Sequence, residues 1–162
     1  MNLGPILYAE DTEEDIFLLQ HAFERTEISH RLIVVQDGQT AIDYLSGTGE
    51  FADRANYPLP CLALLDVKMP QKTGFQVLSW IRAHPGLRWL PVIIFTSSAD
   101  PGDVRQAYDL GANAYLVKPS SLHEREDVCR ALKHFWLIYN QPPAQCEEAP
   151  ERMAGSGILI GN

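Results

Sequence analysis

Short apolar runs and longer amphipathic stretches alternate along the chain. The runs are Ile6 to Ala9, Leu32 to Val35, Cys61 to Leu65, Val92 to Phe95 and Ala114 to Val117. Runs this short also suit pieces of helix, but their length and β-branched content favour buried strands. Between them the spacing turns helical. Ile16, Leu19 and Phe23 share one face, behind Asp11, Thr12, Glu13 and Glu14, a start suited to capping and to the helix dipole. A short second helix follows the turn Asp37-Gly38 and carries Ile42 and Leu45. A third holds Phe75, Leu78 and Ile81 and stops before Pro85-Gly86. The fourth starts around Pro101, a favoured first helical position, and ends at Gly111, the usual residue just past a helix. The fifth carries Val128, Leu132, Phe135 and Tyr139 and stops before Pro142-Pro143.

Five repeats of strand then helix predict an α/β fold, a parallel sheet with helices on both faces. Ligands of such sheets sit beyond the carboxyl ends of the strands. Glu10 and Asp11 follow the first strand, Asp66 the third, Thr96 the fourth and Lys118 the fifth, so all five should converge on one edge. Residues 47–60 form a long connection, either a helical extension plus loop or a surface excursion. Residues 1–140 read as one domain and 141–162 as a tail or arm rich in Pro, Glu, Ala and Gly. The tail's apolar end, Gly157-Ile158-Leu159-Ile160-Gly161, is either an added strand on another sheet edge or a disordered end.

Composition narrows the function classes. A length of 162 residues suits one domain, and 46% hydrophobic residues suffice for a sizeable core. A net charge of −8 argues against nucleic acid or an anionic membrane as partner, since either polyanion repels the chain. No basic residue precedes the short apolar stretch at the start, which argues against a signal peptide, and no run reaches the roughly 20 apolar residues of a membrane span. A cytoplasmic location follows as the default. Cys61, Cys129 and Cys146 lie far apart without a CxxC pair, and the five histidines show no ligand spacing. Trp80, Trp89 and Trp136 read as packing groups. Gly47-Thr48-Gly49 follows a helix instead of a strand, so it is no dinucleotide fingerprint.

Three carboxylates at one sheet edge require an explanation. Two unit charges about 4 Å apart repel by on the order of 4 kcal/mol at an effective dielectric of 20. Protonation, full solvation or a cation would relieve that. Oxygen-only ligands at an open, hydrated site suit Mg²⁺, which in turn favours a phosphate oxygen. Lys118 would supply a point charge to such an oxygen and Thr96 a hydroxyl donor. Asp66 would be the carboxylate nucleophile.

The segments "ILYAED", "LLDVKMPQKTGFQVL", "VIIFTSSAD" and "GANAYLVKP" occur in that order over roughly residues 5–140. Together they resemble the successive motifs of the receiver domain of two-component response regulators. The resemblance implies a flavodoxin-like, doubly wound sheet of strand order 2-1-3-4-5. Glu10 and Asp11 then match the acidic metal pair, Asp66 the phosphoacceptor and Lys68 the residue whose backbone carbonyl binds Mg²⁺. Thr96 matches the switch hydroxyl, Tyr115 the switch aromatic and Lys118 the phosphate-binding lysine, with a cis bond expected to Pro119. Glu10 departs from the commoner Asp, and Lys68 and Ser98 fall at variable positions. The implied donor is a sensor histidine kinase, and output passes through a downstream protein or a histidine phosphotransfer domain, with no enzymatic activity of its own. The long 47–60 connection and the ending "ALKHFW" are similar to the small regulators paired with bacterial phytochrome kinases. That narrower resemblance implies a light-sensing kinase and a homodimer formed through the fourth helix, fifth strand and fifth helix.

Two other readings compete. One is a phosphorylation-independent interaction module on the same fold, against which the intact acidic set argues. The other is a hydrolase with an aspartyl-phosphate intermediate; the dehalogenase-like enzymes place a second Asp two residues after the nucleophile, where this chain has Lys68.

Overall fold

The structure is a computed structural model that describes residues 4–143. The apolar runs pair as five parallel strands: β1 (Ile6–Ala9), β2 (Leu32–Val35), β3 (Leu62–Leu65), β4 (Val92–Thr96) and β5 (Ala114–Val117). Their order in the sheet is β2-β1-β3-β4-β5. β1, β3 and β4 are buried along their whole length, which is why, up to Thr96 at the end of β4, they run apolar without alternating. β2 and β5 form the edges and are partly exposed.

Among the described residues, five α-helices cover the two faces: α1 (Glu13–Arg25), α2 (Gly38–Ser46), α3 (Gly74–Ala83), α4 (Pro101–Asp109) and α5 (Leu122–Leu132). Alternate strand residues feed opposite cores. Leu7, Ala63, Leu65 and Ile94 pack with Ile42, Leu45, Val77, Leu78 and Ile81 from α2 and α3. Tyr8, Leu62, Leu64 and Phe95 pack with Leu19 and Phe23 of α1 and with Cys129 and Leu132 of α5.

Local chemistry sets the helix starts. Asp37, expected in a turn, N-caps α2 by accepting the Thr40 N–H at 2.7 Å. Thr73 and Gln76 form a reciprocal capping box on α3, and Ser121 caps α5. At α1 the capping expectation fails. Thr12 makes no side-chain cap, and its N–H donates to Glu10 Oε1 at 3.0 Å. The acidic first turn, Glu13, Glu14 and Asp15, is left to meet the helix dipole.

The fifth helix also departs from expectation. Beyond Leu132 it widens into a π-helical segment, Lys133–Tyr139, whose longer turn shifts every later side chain around the axis. Phe135 and Tyr139, placed on the buried face by 3.6-residue spacing, are 59% and 72% exposed, and Trp136 and Leu137 pack on the core instead. The bond from Lys118 to Pro119 is trans, contrary to the expected cis form. Trans is the isomer favoured by about 0.5–1 kcal/mol before any tertiary contact acts. The tail end considered as a strand, residues 157–161, and Cys146 lie outside the described residues.

The long connection is a surface excursion with one turn of 3₁₀ helix, Gly49–Ala52. Phe51 and Tyr57 set their rings edge-on to Tyr44, with centroids 5.2 and 6.2 Å away. Arg54 donates to the Tyr44 and Leu45 carbonyls at 2.7 Å each and to Tyr57 at 3.0 Å, satisfying the last carbonyls of α2 where the dipole favours a cation. We expect Arg54→Ala to lower unfolding stability by about 2–3 kcal/mol, read from the urea midpoint. Chemistry at the opposite end of β3 should be unaffected.

Candidate phosphoacceptor and metal site

The carboxyl ends of β1, β3, β4 and β5 gather the expected side chains. Register explains it: Ala9 pairs with Leu65, so the residues just past them, Glu10 and Asp66, emerge side by side. Oxygens of Glu10, Asp11 and Asp66 all lie within 4.8 Å of one another. Glu10 is fully buried, Asp66 nearly so, and Asp11 is exposed, giving the acidic set one face open to solvent.

Lys118 enters from the fifth strand. Its ammonium donates to Glu10 Oε2, to Asp15 Oδ2 at 3.0 Å and to Asp66 Oδ2 at 3.2 Å. Burial alone would depress the lysine's pKa, but the hydrogen bond to Glu10, the charge of Asp66 and the hydrogen bond to Asp15 raise it above the usual 10.5. Burial pushes the Glu10 carboxyl up from its ordinary value, and Lys118 and the Thr12 N–H oppose the rise. Tyr8 adds a hydroxyl at 3.3 Å from Glu10 Oε2.

The loop after β3 fixes Asp66. Asp66 Oδ1 accepts the Val67 N–H at 2.8 Å, and the Gly74 N–H closes onto the Val67 carbonyl at 2.9 Å. Gly74 starts α3 hard against this loop, since a β-carbon there would meet the Asp66 carbonyl oxygen at 2.0 Å. Lys68 sits two residues past Asp66 and is exposed.

Thr96 ends β4 almost fully buried, and its carbonyl accepts the Lys118 N–H at 2.7 Å, carrying the ladder up to the site. Its Oγ1 is 3.4 Å from the Ser98 N–H. Tyr115 packs partly buried against the α2–α3 core and donates its hydroxyl to the Ser98 carbonyl at 2.9 Å. Burial, then Asp103, Asp100 and Asp66, raise the Tyr115 pKa, keeping the hydroxyl a donor. Ser98 in turn donates to Asp103 at 2.5 Å.

Two participants escaped the sequence reading. Asp15 joins Lys118, and Arg125 Nη2 donates to Asp15 Oδ1 at 2.6 Å. Burial would raise the Asp15 pKa, but the hydrogen bonds from Lys118 and Arg125 hold it below the usual value. A signal was present. Arg125 and Glu126 interrupt the stripe Leu122, Cys129 and Leu132, so charges occupy core-facing positions of an amphipathic helix. Glu126 answers Arg25 of α1 at 2.5 Å.

The donor set suits a hard divalent cation. It is all oxygen, doubly or triply negative, and open on one side for water or a phosphoryl oxygen. Asp66 meanwhile keeps one oxygen toward Lys118, and a carboxylate is chemically able to attack phosphorus.

Known proteins carry the same frame. Response regulator Rcp1 of Synechocystis sp. is 36% identical over 132 residues, covering 82% of this chain and 88% of that protein. The Mn²⁺-bound form of Rcp1 superposes with a TM-score of 0.77 at 35% identity, covering 87% of this chain and 99% of that one. The phosphorylated cyanobacterial phytochrome response regulator RcpA superposes with a TM-score of 0.80 at 33% identity, over 87% and 99% of the two chains. No helix among the described residues is long and apolar enough to cross a membrane. Phosphorylation on an aspartate is the general mechanism of receiver domains, and they bind a divalent metal in an acidic pocket and partner with histidine kinases. Residues 6–130 match the family model of the response regulator receiver domain, and the chain belongs to that family.

Proposed function

We propose that Asp66 accepts the phosphoryl group from a sensor histidine kinase. The observation that carries this is the meeting of Asp66 with Glu10, Asp11 and Lys118 at one sheet edge. An Asp66 oxygen forms the O–P bond while the P–N bond to the donor imidazole breaks. The imidazole nitrogen keeps the electron pair and takes a proton from solvent. Glu10, Asp11, Asp66 and the Lys68 carbonyl are the proposed holders of Mg²⁺, which supplies charge neutralisation for the phosphoryl oxygens. Lys118 turns from Glu10 and Asp66 to a phosphoryl oxygen. Thr96 donates its hydroxyl to another and draws in the loop that carries Ser98. That movement weakens the Tyr115 hold on Ser98 and lets the ring turn, changing the face of α4, β5 and α5, a local charge event biasing a two-state element.

A phytochrome-type kinase is the proposed donor, supported by the likeness to RcpA. Tyr108, Val117 and Phe135, each about half exposed or more, support a homodimer on the α4-β5-α5 face. The test of the core reading is direct. With Mg²⁺ and a small phosphodonor, the protein should gain one phosphoryl mass, and Asp66→Asn should gain none. Equal behaviour of the two proteins would instead favour a phosphorylation-independent module.

A further inference from the structure

Arg125 is a charge on the core-facing side of α5 that the phosphoacceptor reading does not call for. Its residue is 4% exposed. Nη2 donates to Asp15 Oδ1 at 2.6 Å and Nε to the Pro119 carbonyl at 3.0 Å, while the guanidinium carbon lies 5.8 Å from the Phe95 ring centroid. Nη1 is buried without a hydrogen-bond partner among the described residues. A buried cation left short of one partner is costly and calls for an explanation.

We propose that Arg125 and Asp15 are a positioning pair for Lys118. The inference rests on Asp66 being the phosphoacceptor. The guanidinium holds the lysine at both ends. Through Pro119 it ties the backbone immediately after Lys118, and through Asp15 it fixes the carboxylate that grips the ammonium at 3.0 Å. A lysine ammonium rides on a flexible four-carbon stem, so a fixed partner is what keeps it over one target atom. Of its three carboxylate partners, Glu10 and Asp66 belong to the metal and acceptor set and exchange partners when a phosphoryl group arrives. Asp15 does not. Arg125 also offsets the charge of Asp15, so this third acid does not leave Lys118 overmatched.

A merely structural role, joining α1 to α5, predicts lost thermal stability and unchanged chemistry in whatever protein remains folded. A positioning role predicts lost rate in folded protein. The test measures phosphorylation of the full chain by phosphoramidate with Mg²⁺, over a range of phosphoramidate concentrations and well below each protein's unfolding midpoint. Asp15→Asn and Arg125→Met should lose maximum rate by roughly 10–100-fold, with the half-saturating phosphoramidate concentration unchanged. The double variant should fall no further than the slower single one, because the two side chains act as a unit. Maximum rates indistinguishable from wild type in the folded variants, or losses that multiply in the double, would overturn the pair. Asp15→Asn preserves shape, so it decides the matter if Arg125→Met fails to fold. A wild-type chain that takes no phosphoryl group overturns the Asp66 reading itself, a result distinct from failure of the pair.

Discussion

Replacing Lys118 with Met should abolish productive phosphorylation and cost about 3–5 kcal/mol of stability at neutral pH. Both effects have one origin. Glu10 is fully buried, and Lys118 is its only cationic partner among the described residues. Without the ammonium, Glu10, Asp15 and Asp66 face one another, and among the described residues the first two keep only Tyr8, the Thr12 N–H and Arg125 as hydrogen-bond donors. Glu10 then escapes the penalty by binding a proton. The sign follows from its pKa, already raised by burial above the ordinary 4.5 and raised further in the variant. The folded state binds more protons than the unfolded one between those values, so the variant gains stability as pH falls. Its deficit against wild type should therefore narrow from pH 7 toward pH 4.5. Urea unfolding of both proteins across that range checks this. A deficit that is constant with pH would mean that Glu10 is not the group left unpaired.

Gly74→Ala should be the second large perturbation, because the added methyl strikes backbone. A β-carbon at position 74 would stand 2.0 Å from the Asp66 carbonyl oxygen and 3.2 Å from the Val67 α-carbon. No flexible side chain is available to yield, so either α3 retreats or the 66–67 peptide moves. Overpacking of this kind costs about 1–3 kcal/mol, and backbone contact places the expected loss at the upper end. The loop that moves also carries Asp66, the proposed acceptor, so phosphorylation by a small phosphodonor should slow in protein that is still folded. Alanine is otherwise a better helix former than glycine. A variant as stable and as fast as wild type would show that the close approach is not rigid.

The two variants probe different layers of the same site. Lys118 tests its charge balance and Gly74 its scaffold. Neither overlaps with Arg54, whose carbonyl contacts lie at the end of α2 and in the 47–60 excursion.

The linear pattern was enough to place all five strands within a residue, since strands of a sheet covered on both faces read as short, near-continuous apolar runs. It also placed Glu10, Asp11, Asp66 and Lys118 at one sheet edge, because residues just past parallel strands share one rim. Glu10, Asp11, Asp66, Thr96 and Lys118 were legible for that reason. What stayed hidden depended on side chains meeting across the fold. Asp15 looked like one more acid in a helix's first turn until α5 brought Arg125 against it. Phe135 and Tyr139 fit a helical stripe until the chain widened after Leu132, a change in backbone hydrogen bonding that spacing alone does not announce. The cis bond expected before Pro119 also gave way, to the isomer that local energetics favour. Periodicity reports which face of an element is buried. Which charges are paired once buried, and at what distance, is decided only when distant elements pack.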